Sequence, residues 1–296
     1  MVADWAEHNG HELALVVTTP GPARTDYDGH IEIVAAAPRR QDVLVTTRLT
    51  RAAAAIAAYE PDVILSYTFP YRLPESILTI PRLGAVNLHP SPLPRYRGPN
   101  AHRMLYDGGE TLGATLHRTA TGFDTGPILS RREVPLPLDL SVAAVSDAWN
   151  DLLCMTLNEG MERLIAGEPG VPQDEEEASY AASFTPEEHW LDWRWPAAVL
   201  QRRTVALNLL EPTARAMLDG DAVQILSVRP VAFDARSAVP GTVIAETGDC
   251  LLVAAGDGVV EVELLPDHIP AGDGKEHSPQ LAARVAQLPA GQLSAR

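Results

Sequence analysis

The stretch from Arg48 to Pro90 decides the fold. It reads RLTRAAAAIAAYE (48–60), PDVILSYTF (61–69) and, after a short interruption, GAVNLHP (84–90). The first piece is rich in alanine, the residue of highest helix propensity, and predicts a helix. DVILSY is a short unbroken apolar run, the pattern of a buried strand. GAVNLHP predicts the next strand, and upstream ELALVV (12–17) repeats the pattern before stopping at TTPGP. Strands alternating with helices of about ten residues or more argue for a parallel α/β sheet.

Working outward, ATLHRTA (114–120) and PILSRREVPL (127–136) predict two more strands, joined by TGFDTG (121–126). SVAAVSDAWNDLLCMTLNEGMERLIAG (141–167) predicts a long amphipathic helix closed by Gly167 and Pro169. VPQDEEEASYAASFTPEEHWLDWRWP (171–196) has no clear period. It reads as a linker on the surface of the first domain, its DEEE run a solvated face. PAAVLQRRTVALNLL (196–210) predicts a helix. AVQILSVRPV, GTVIAET, CLLVAAG and GVVEVELLP then follow as short strands at near-regular spacing, as in a small barrel or sandwich. The expected architecture is α/β: a Rossmann-like, mostly parallel sheet over 1–185, a linker over 186–200, and an OB-like C-terminal β-barrel over 201–296 with a loose tail from Pro266.

With 296 residues and 46% hydrophobic content, the chain can bury an ample core. No apolar run reaches the roughly 18 residues of a membrane helix, so no membrane partner is expected. The opening MVADWAEHNG is acidic where a signal peptide is basic, and the expectation is cytoplasmic. Cys154 and Cys250 lie far apart and read as core thiols; no disulfide framework and no metal site is expected. The net charge is −16 and Lys275 is the lone lysine, a balance that disfavours a phosphate backbone as partner.

The chemistry concentrates in NLHPSPLPRYRG (87–98). Alternation along a strand puts Asn87 and His89 on one face, at the carboxyl end where open parallel sheets bind ligands. The prolines behind them exclude helix and stiffen the loop. GATLHRTATGFDTGPIL (113–129) adds His117 on a strand and Asp124 in a glycine-flanked turn. A carboxylate beside His89 holds one tautomer, and an Asn amide can serve a developing oxyanion. Asn, His and Asp together suit acyl transfer to an amine, without the Ser or Cys of a covalent triad. A bland alternative stays open: a lone His after a strand is commonly structural, and Asp124 before Thr125 and Gly126 fits ordinary turn chemistry.

These segments resemble the 10-formyltetrahydrofolate-dependent formyltransferases. NLHPSPLPRYRG is similar to that family's N-x-H-x-S-x-L-P-x-Y-R-G segment, and GATLHRTATGFDTGPIL to its G-x-T-x-H and D-T-G-x-I segments. ILSYTFPYRLPESIL (64–78) resembles the strand and loop lining the folate pocket. SYAASFTPEEHWLDWRWPAAVLQRRTVALN (179–208), PGTVIAE (240–246) and CLLVAAGDGVVEVELL (250–265) resemble the linker, helix and barrel of methionyl-tRNA formyltransferases. The resemblance covers roughly residues 10 to 265. It implies Asn87, His89 and Asp124 as catalytic residues, with His117 supporting the aspartate. It implies Ile64, Leu65, Ser66, Tyr67, Leu73, Thr121, Gly122, Phe123 and Thr125 around the pterin of 10-formyltetrahydrofolate. Ser91, Arg95, Tyr96, Arg97 and Gly98 shape the loop, and Arg97 is a further candidate for attracting an anionic acceptor or the folate tail.

The sequence departs from the family in three ways. The family's opening M-[RK]-I-x-F strand is missing and Met1 falls inside the helix that follows it; an unpaired central strand position favours a start upstream. The segment matching the tRNA-facing basic loop, 20–43, carries three arginines (Arg24, Arg39, Arg40) against Asp26, Asp28, Glu32 and Asp42, a net of −1. Residues 197–296 carry eight basic against twelve acidic side chains, a net of −4. Finally, Ala101, His102 and Met104 stand where the family often has Ala-Pro and Trp near the acceptor. The charge balance favours formylation of a primary amine on a small molecule, such as an amino sugar or a biosynthetic amine. The alternatives are a methionyl-tRNA formyltransferase, a folate-binding protein without transferase activity, and release of formate to water.

Overall fold

A computed structural model describes residues 1–20, 29–38, 40–233, 238–247 and 250–265. Arg24, Asp26, Asp28, Arg39 and the tail from Pro266 therefore lie outside the described residues. Among the described residues no helix is long and apolar enough to cross a membrane. The chain divides into two compact units. The first comprises Met1–Met104, Glu110–Pro137 and Val145–Ser183; the second comprises Leu105–Gly109, Leu138–Ala144 and the chain from Phe184 onward.

Up to α6 the elements run α1 (Val2–His8), β1 (Val16–Thr18), α2 (Gly29–Ala36), β2 (Val43–Val45), α3 (Leu49–Ala57), β3 (Ile64–Tyr67), α4 (Glu75–Leu78), β4 (Ala85–His89), α5 (Arg103–Tyr106), β5 (Thr111–Arg118), β6 (Ile128–Pro135) and α6 (Val142–Ile165). β1 and β2 form a parallel pair of their own, and β3-β4-β5-β6 form a separate sheet in that order. The β3–β4 ladder is parallel, while β4–β5 and β5–β6 are antiparallel. The α/β layering is as expected, but the sheet is mixed from β4 onward. The short connection between β5 and β6 leaves no room for a parallel crossover. ELALVV pairs with β2 only from Val16, so the strand begins later than its apolar run.

α3 and α6 sit where their apolar patterning puts them. Ala52 and Ile56 of α3 pack with Ile77 against Val17 of β1, Leu44 of β2, Ile64 of β3 and Leu73. One apolar cluster thus spans both sheets. α6 crosses β5 and β6 at Gly160, where a Cβ would stand 2.5 Å from Leu116 Cδ2 and Ser130 Oγ. Trp149 of α6 donates to the Gly113 carbonyl, and Ser130 donates to the Thr156 carbonyl. Cys154 and Cys250 are both partly exposed, not core thiols.

The second unit carries α7 (Ala197–Asn208), β7 (Arg215–Leu218), β8 (Asp221–Val231), β9 (Val243–Thr247), β10 (Cys250–Ala254) and β11 (Val259–Leu264). The strands form one antiparallel sheet in the order β7-β8-β11-β10-β9. Among the described residues no ladder joins β7 to β9. β7 and β8 make a tight hairpin across Asp219 and Gly220, both at positive φ (50° and 92°), the geometry that two-residue hairpin turns favour.

Candidate active site

The site begins with sheet register. Asn87 on β4 is paired with Ser66 on β3 and with His117 on β5. Directly opposed residues on neighbouring strands put their side chains on one face about 5 Å apart. Asn87 and His117 therefore meet through strand pairing alone: Asn87 Nδ2 lies 3.1 Å from His117 Nε2 and donates to Asp124 Oδ1 at 3.1 Å. His117 Nδ1 stands 2.8 Å from the Arg118 carbonyl oxygen, which can only accept. Nδ1 thus holds the proton and Nε2 accepts from Asn87. Both N–H groups of the Asn87 amide are engaged, so contact with a formyl oxygen requires releasing one of them.

Asp124 reaches this cluster from the turn between β5 and β6. Its φ is +54°, in the left-handed region that L-residues disfavour. Gly126 makes the turn possible, since a Cβ there would stand 1.7 Å from the Arg118 carbonyl oxygen. Asp124 Oδ2 accepts from the Gly98 N–H at 2.8 Å and faces His89 Nδ1 at 3.8 Å. Oδ1 lies 3.6 Å from His117 Nε2. His89 Nε2 is 2.9 Å from the Tyr96 carbonyl oxygen and donates to it, which leaves Nδ1 of the neutral ring unprotonated and turned toward Asp124.

The electrostatics follow from burial and partners. Burial pushes the pKa of His89 below its ordinary value, and the Asp124 charge and the Tyr96 hydrogen bond offset this only in part. Burial is also the largest influence on Asp124 and pushes its pKa up. The nearby His117 ring, the His89 charge and the Gly98 N–H together outweigh it and hold the carboxyl below its ordinary value. At neutral pH the site therefore contains an ionised Asp124 beside a neutral His89.

The proline loop carries its own framework. Ser91 Oγ is shared between the Arg95 and Tyr96 carbonyls at 2.9 and 3.1 Å. Arg95 pairs with Glu133 in the open. Tyr96 takes φ +59°, and its N–H donates to Ser179 Oγ. Arg97 is 0% exposed. Its guanidinium is held by Gln173, Glu175 and Tyr180, which leaves it unavailable to an anionic acceptor or folate tail. Gly98 contributes the N–H on Asp124.

The residues expected around the pterin fall into two groups. Ile64 and Leu73 pack into the apolar cluster under α3. Leu65, Ser66 and Tyr67 are half-buried along β3, next to β4. Phe123 is 43% exposed, with the Arg72 guanidinium 4.6 Å from its ring centre. Gly122 and Thr125 crowd each other inside the turn: a Cβ at 122 would meet Thr125 Oγ1 at 2.6 Å. Thr121 begins the turn before Asp124. Ala101 and Met104 are buried packing residues, and burial with the Arg103 charge pushes His102 down to about 4.

Sequence reasoning missed Gln173 and Thr115. Thr115 Oγ1 donates to the Ser91 carbonyl and accepts from the Leu93 N–H, tying the proline loop to β5. Gln173 lies in the segment read as surface linker, yet its amide touches both Arg97 and the Asp124 turn. The segment is stitched to the first unit by the Val171–Ile128 and Tyr180–Arg97 bridges.

The chain is thus a two-unit protein: a mixed α/β unit bearing an Asn, two His and an Asp around β4 and β5, an arrangement suited to acyl transfer, and a second unit of one long helix and one antiparallel sheet. The formyl transferase family matches residues 5–155 and the formyl transferase C-terminal domain matches residues 183–272. The chain belongs to the formyltransferase family and is an enzyme of formyl transfer. It is 34% identical to the methionyl-tRNA formyltransferase of Thiobacillus denitrificans over 264 residues, 85% of this chain and 82% of that protein. It is 36% identical to that of Halorhodospira halophila over 228 residues, 75% of this chain and 71% of that one. Among solved structures, HypX from Aquifex aeolicus in complex with tetrahydrofolic acid shares the fold. Its TM-score is 0.64 at 19% identity, over 84% of this chain and 43% of that one. WlaRD, a sugar 3N-formyl transferase, does so with TM-score 0.59 at 14% identity, over 90% and 93%.

Proposed function

We propose that this chain transfers the formyl group of 10-formyltetrahydrofolate to the amino group of methionyl-tRNA. The observation that carries the acceptor is the likeness to methionyl-tRNA formyltransferases at 30–36% identity, spanning both units. It outweighs the charge argument for a small amine. A formal count over a segment does not locate charges, and several residues in that count lie outside the described ones. Arg202, Arg203 and Arg215 lie in the second unit, with the Arg203 guanidinium stacked 4.0 Å from the Trp195 ring and 4.3 Å from that of Tyr106.

The amine nitrogen attacks the formyl carbon, a C–N bond forms, and the bond from that carbon to N10 of the folate breaks as the tetrahedral intermediate collapses. Neutral His89 is the base: Nδ1 takes the ammonium proton of the adduct and returns it to N10. Asp124 stabilises the imidazolium formed in between. An N–H of Asn87, released from Asp124 or His117, serves the oxyanion. With no nucleophilic Ser or Cys in the cluster, the transfer is direct.

The second reading, a small-amine acceptor, rests on the −4 balance of residues 197–296. Assays of tetrahydrofolate release with methionyl-tRNA, with amino sugars and with no acceptor distinguish the two. Turnover with tRNA that weakens steeply with added salt is expected. Turnover on an amino sugar and none on tRNA would overturn the reading.

A further inference from the structure

Gln173 closes a ring of hydrogen bonds around the residue that carries the site's charge. Its Nε2 donates to the Asp124 carbonyl at 2.7 Å and to the Gly126 carbonyl at 2.8 Å. Its Oε1 accepts from Arg97 Nε at 3.1 Å and from Arg97 Nη2 at 2.8 Å. The next residue after Arg97 is Gly98, whose N–H donates to Asp124 Oδ2. One amide therefore grips both partners of the Gly98–Asp124 hydrogen bond, the carboxylate through its turn and the N–H through the preceding arginine. All four hydrogen-bonding positions of the side chain are used.

The turn it grips is strained. Asp124 is left-handed at φ +54°, and Gly126 is pressed against the Arg118 carbonyl. Such conformations persist where the surroundings over-determine them. The two carbonyls that flank Thr125 are both tied to Gln173, from a segment 47 to 49 residues further along the chain. We propose that Gln173 is a positioning residue of the formyl transfer: it holds the left-handed Asp124 turn and the Arg97–Gly98 loop in fixed register, so that Asp124 faces His89 and Asn87. It touches neither substrate in this role, and the inference rests on Asp124 belonging to the reacting cluster.

The donor and acceptor halves of the amide can be separated. Gln173→Glu keeps an acceptor for Arg97, now as an ion pair, and loses both N–H bonds to the turn. Gln173→Met loses both halves at similar size. Both variants, Asp124→Asn and the wild type are measured in the full chain for kcat, for KM of the formyl-folate donor and for melting temperature. The expected result is a kcat loss of roughly tenfold or more in both Gln173 variants, with KM within about threefold. Gln173→Glu should melt within about 3 °C of wild type.

Wild-type kcat in Gln173→Glu would overturn the proposal. So would losses of kcat, KM and melting temperature that rise together, the signature of a residue that only holds the fold. Asp124→Asn separates the two levels of the argument. If it is inactive while Gln173→Glu is normal, this inference fails and the site reading stands. If it turns over normally, the site reading itself falls.

Discussion

Two amide side chains, one in each unit, do the same chemistry for different ends. Gln173 joins the Asp124 turn to Arg97, while Asn208, at the end of α7, donates to the carbonyls of Ile225 and Leu226 and accepts from the N–H groups of Thr213 and Ala214. Both use every hydrogen-bonding position they have. Gln173 ties down a strained aspartate that faces two histidines. Around Asn208 lie backbone groups and buried strand residues such as Ile225. A polar network set in apolar surroundings fixes a fold; the same network set around charged groups fixes a site.

The largest expected effect breaks the first network at its centre. Asp124→Asn removes the charge facing His89 and lowers kcat by roughly a hundredfold or more, with donor affinity and melting temperature near wild type. Equal losses of rate, binding and stability would mean that Asp124 is a turn residue only. Asn208→Ala should do the opposite. It strands two buried N–H groups and two carbonyls and lowers unfolding stability by about 3 kcal/mol, read from denaturant melts, while kcat per folded molecule is unchanged. A kcat loss there would show that the second unit reaches the chemistry.

The pH profile sharpens the contrast. Burial keeps His89 neutral below its ordinary pKa, so the acid limb of kcat/KM should fall below about pH 6.5. In Asp124→Asn the charge that raises His89 is gone, and the limb should move lower still. Stability follows the same sign. The unfolded chain takes up the histidine proton first, so the His89 contribution is present above about pH 6.5 and lost as pH falls toward its lowered value. The Asp124 contribution lasts further into acid and is lost as pH falls through its own depressed value. The smallest effect belongs to the rim: Arg95→Ala breaks an exposed pair with Glu133 and should cost less than about 1 kcal/mol.

Much of this was legible in the residues. Alternation placed Asn87 and His89 on one face, and the cross-strand register then brought His117 opposite Asn87. The Asp124 turn was visible in TGFDTG as a glycine-flanked aspartate, and the structure adds the reason position 126 is glycine, the approach of the Arg118 carbonyl. The antiparallel pairing of β5 and β6 is written in the short TGFDTG connection, although the sequence reading drew only a mostly parallel sheet. Two things were not legible. β2 and β7 are too short, at three and four residues, to show a period. The role of Gln173 is set by partners 47 to 76 residues away, and local composition in QDEEE marks only a solvated face. Glu175 shows how partial that face is: its carboxylate is 71% exposed and still pairs with fully buried Arg97.

The most direct measurement of the central claim is tetrahydrofolate release from 10-formyltetrahydrofolate by the purified chain, with methionyl-tRNA, with a panel of amino sugars, and with no acceptor. The account predicts turnover with methionyl-tRNA that falls roughly a hundredfold or more in Asp124→Asn and stays near background without an acceptor. Release that is equally fast with no acceptor, or that stays near the wild-type rate in Asp124→Asn, would contradict it.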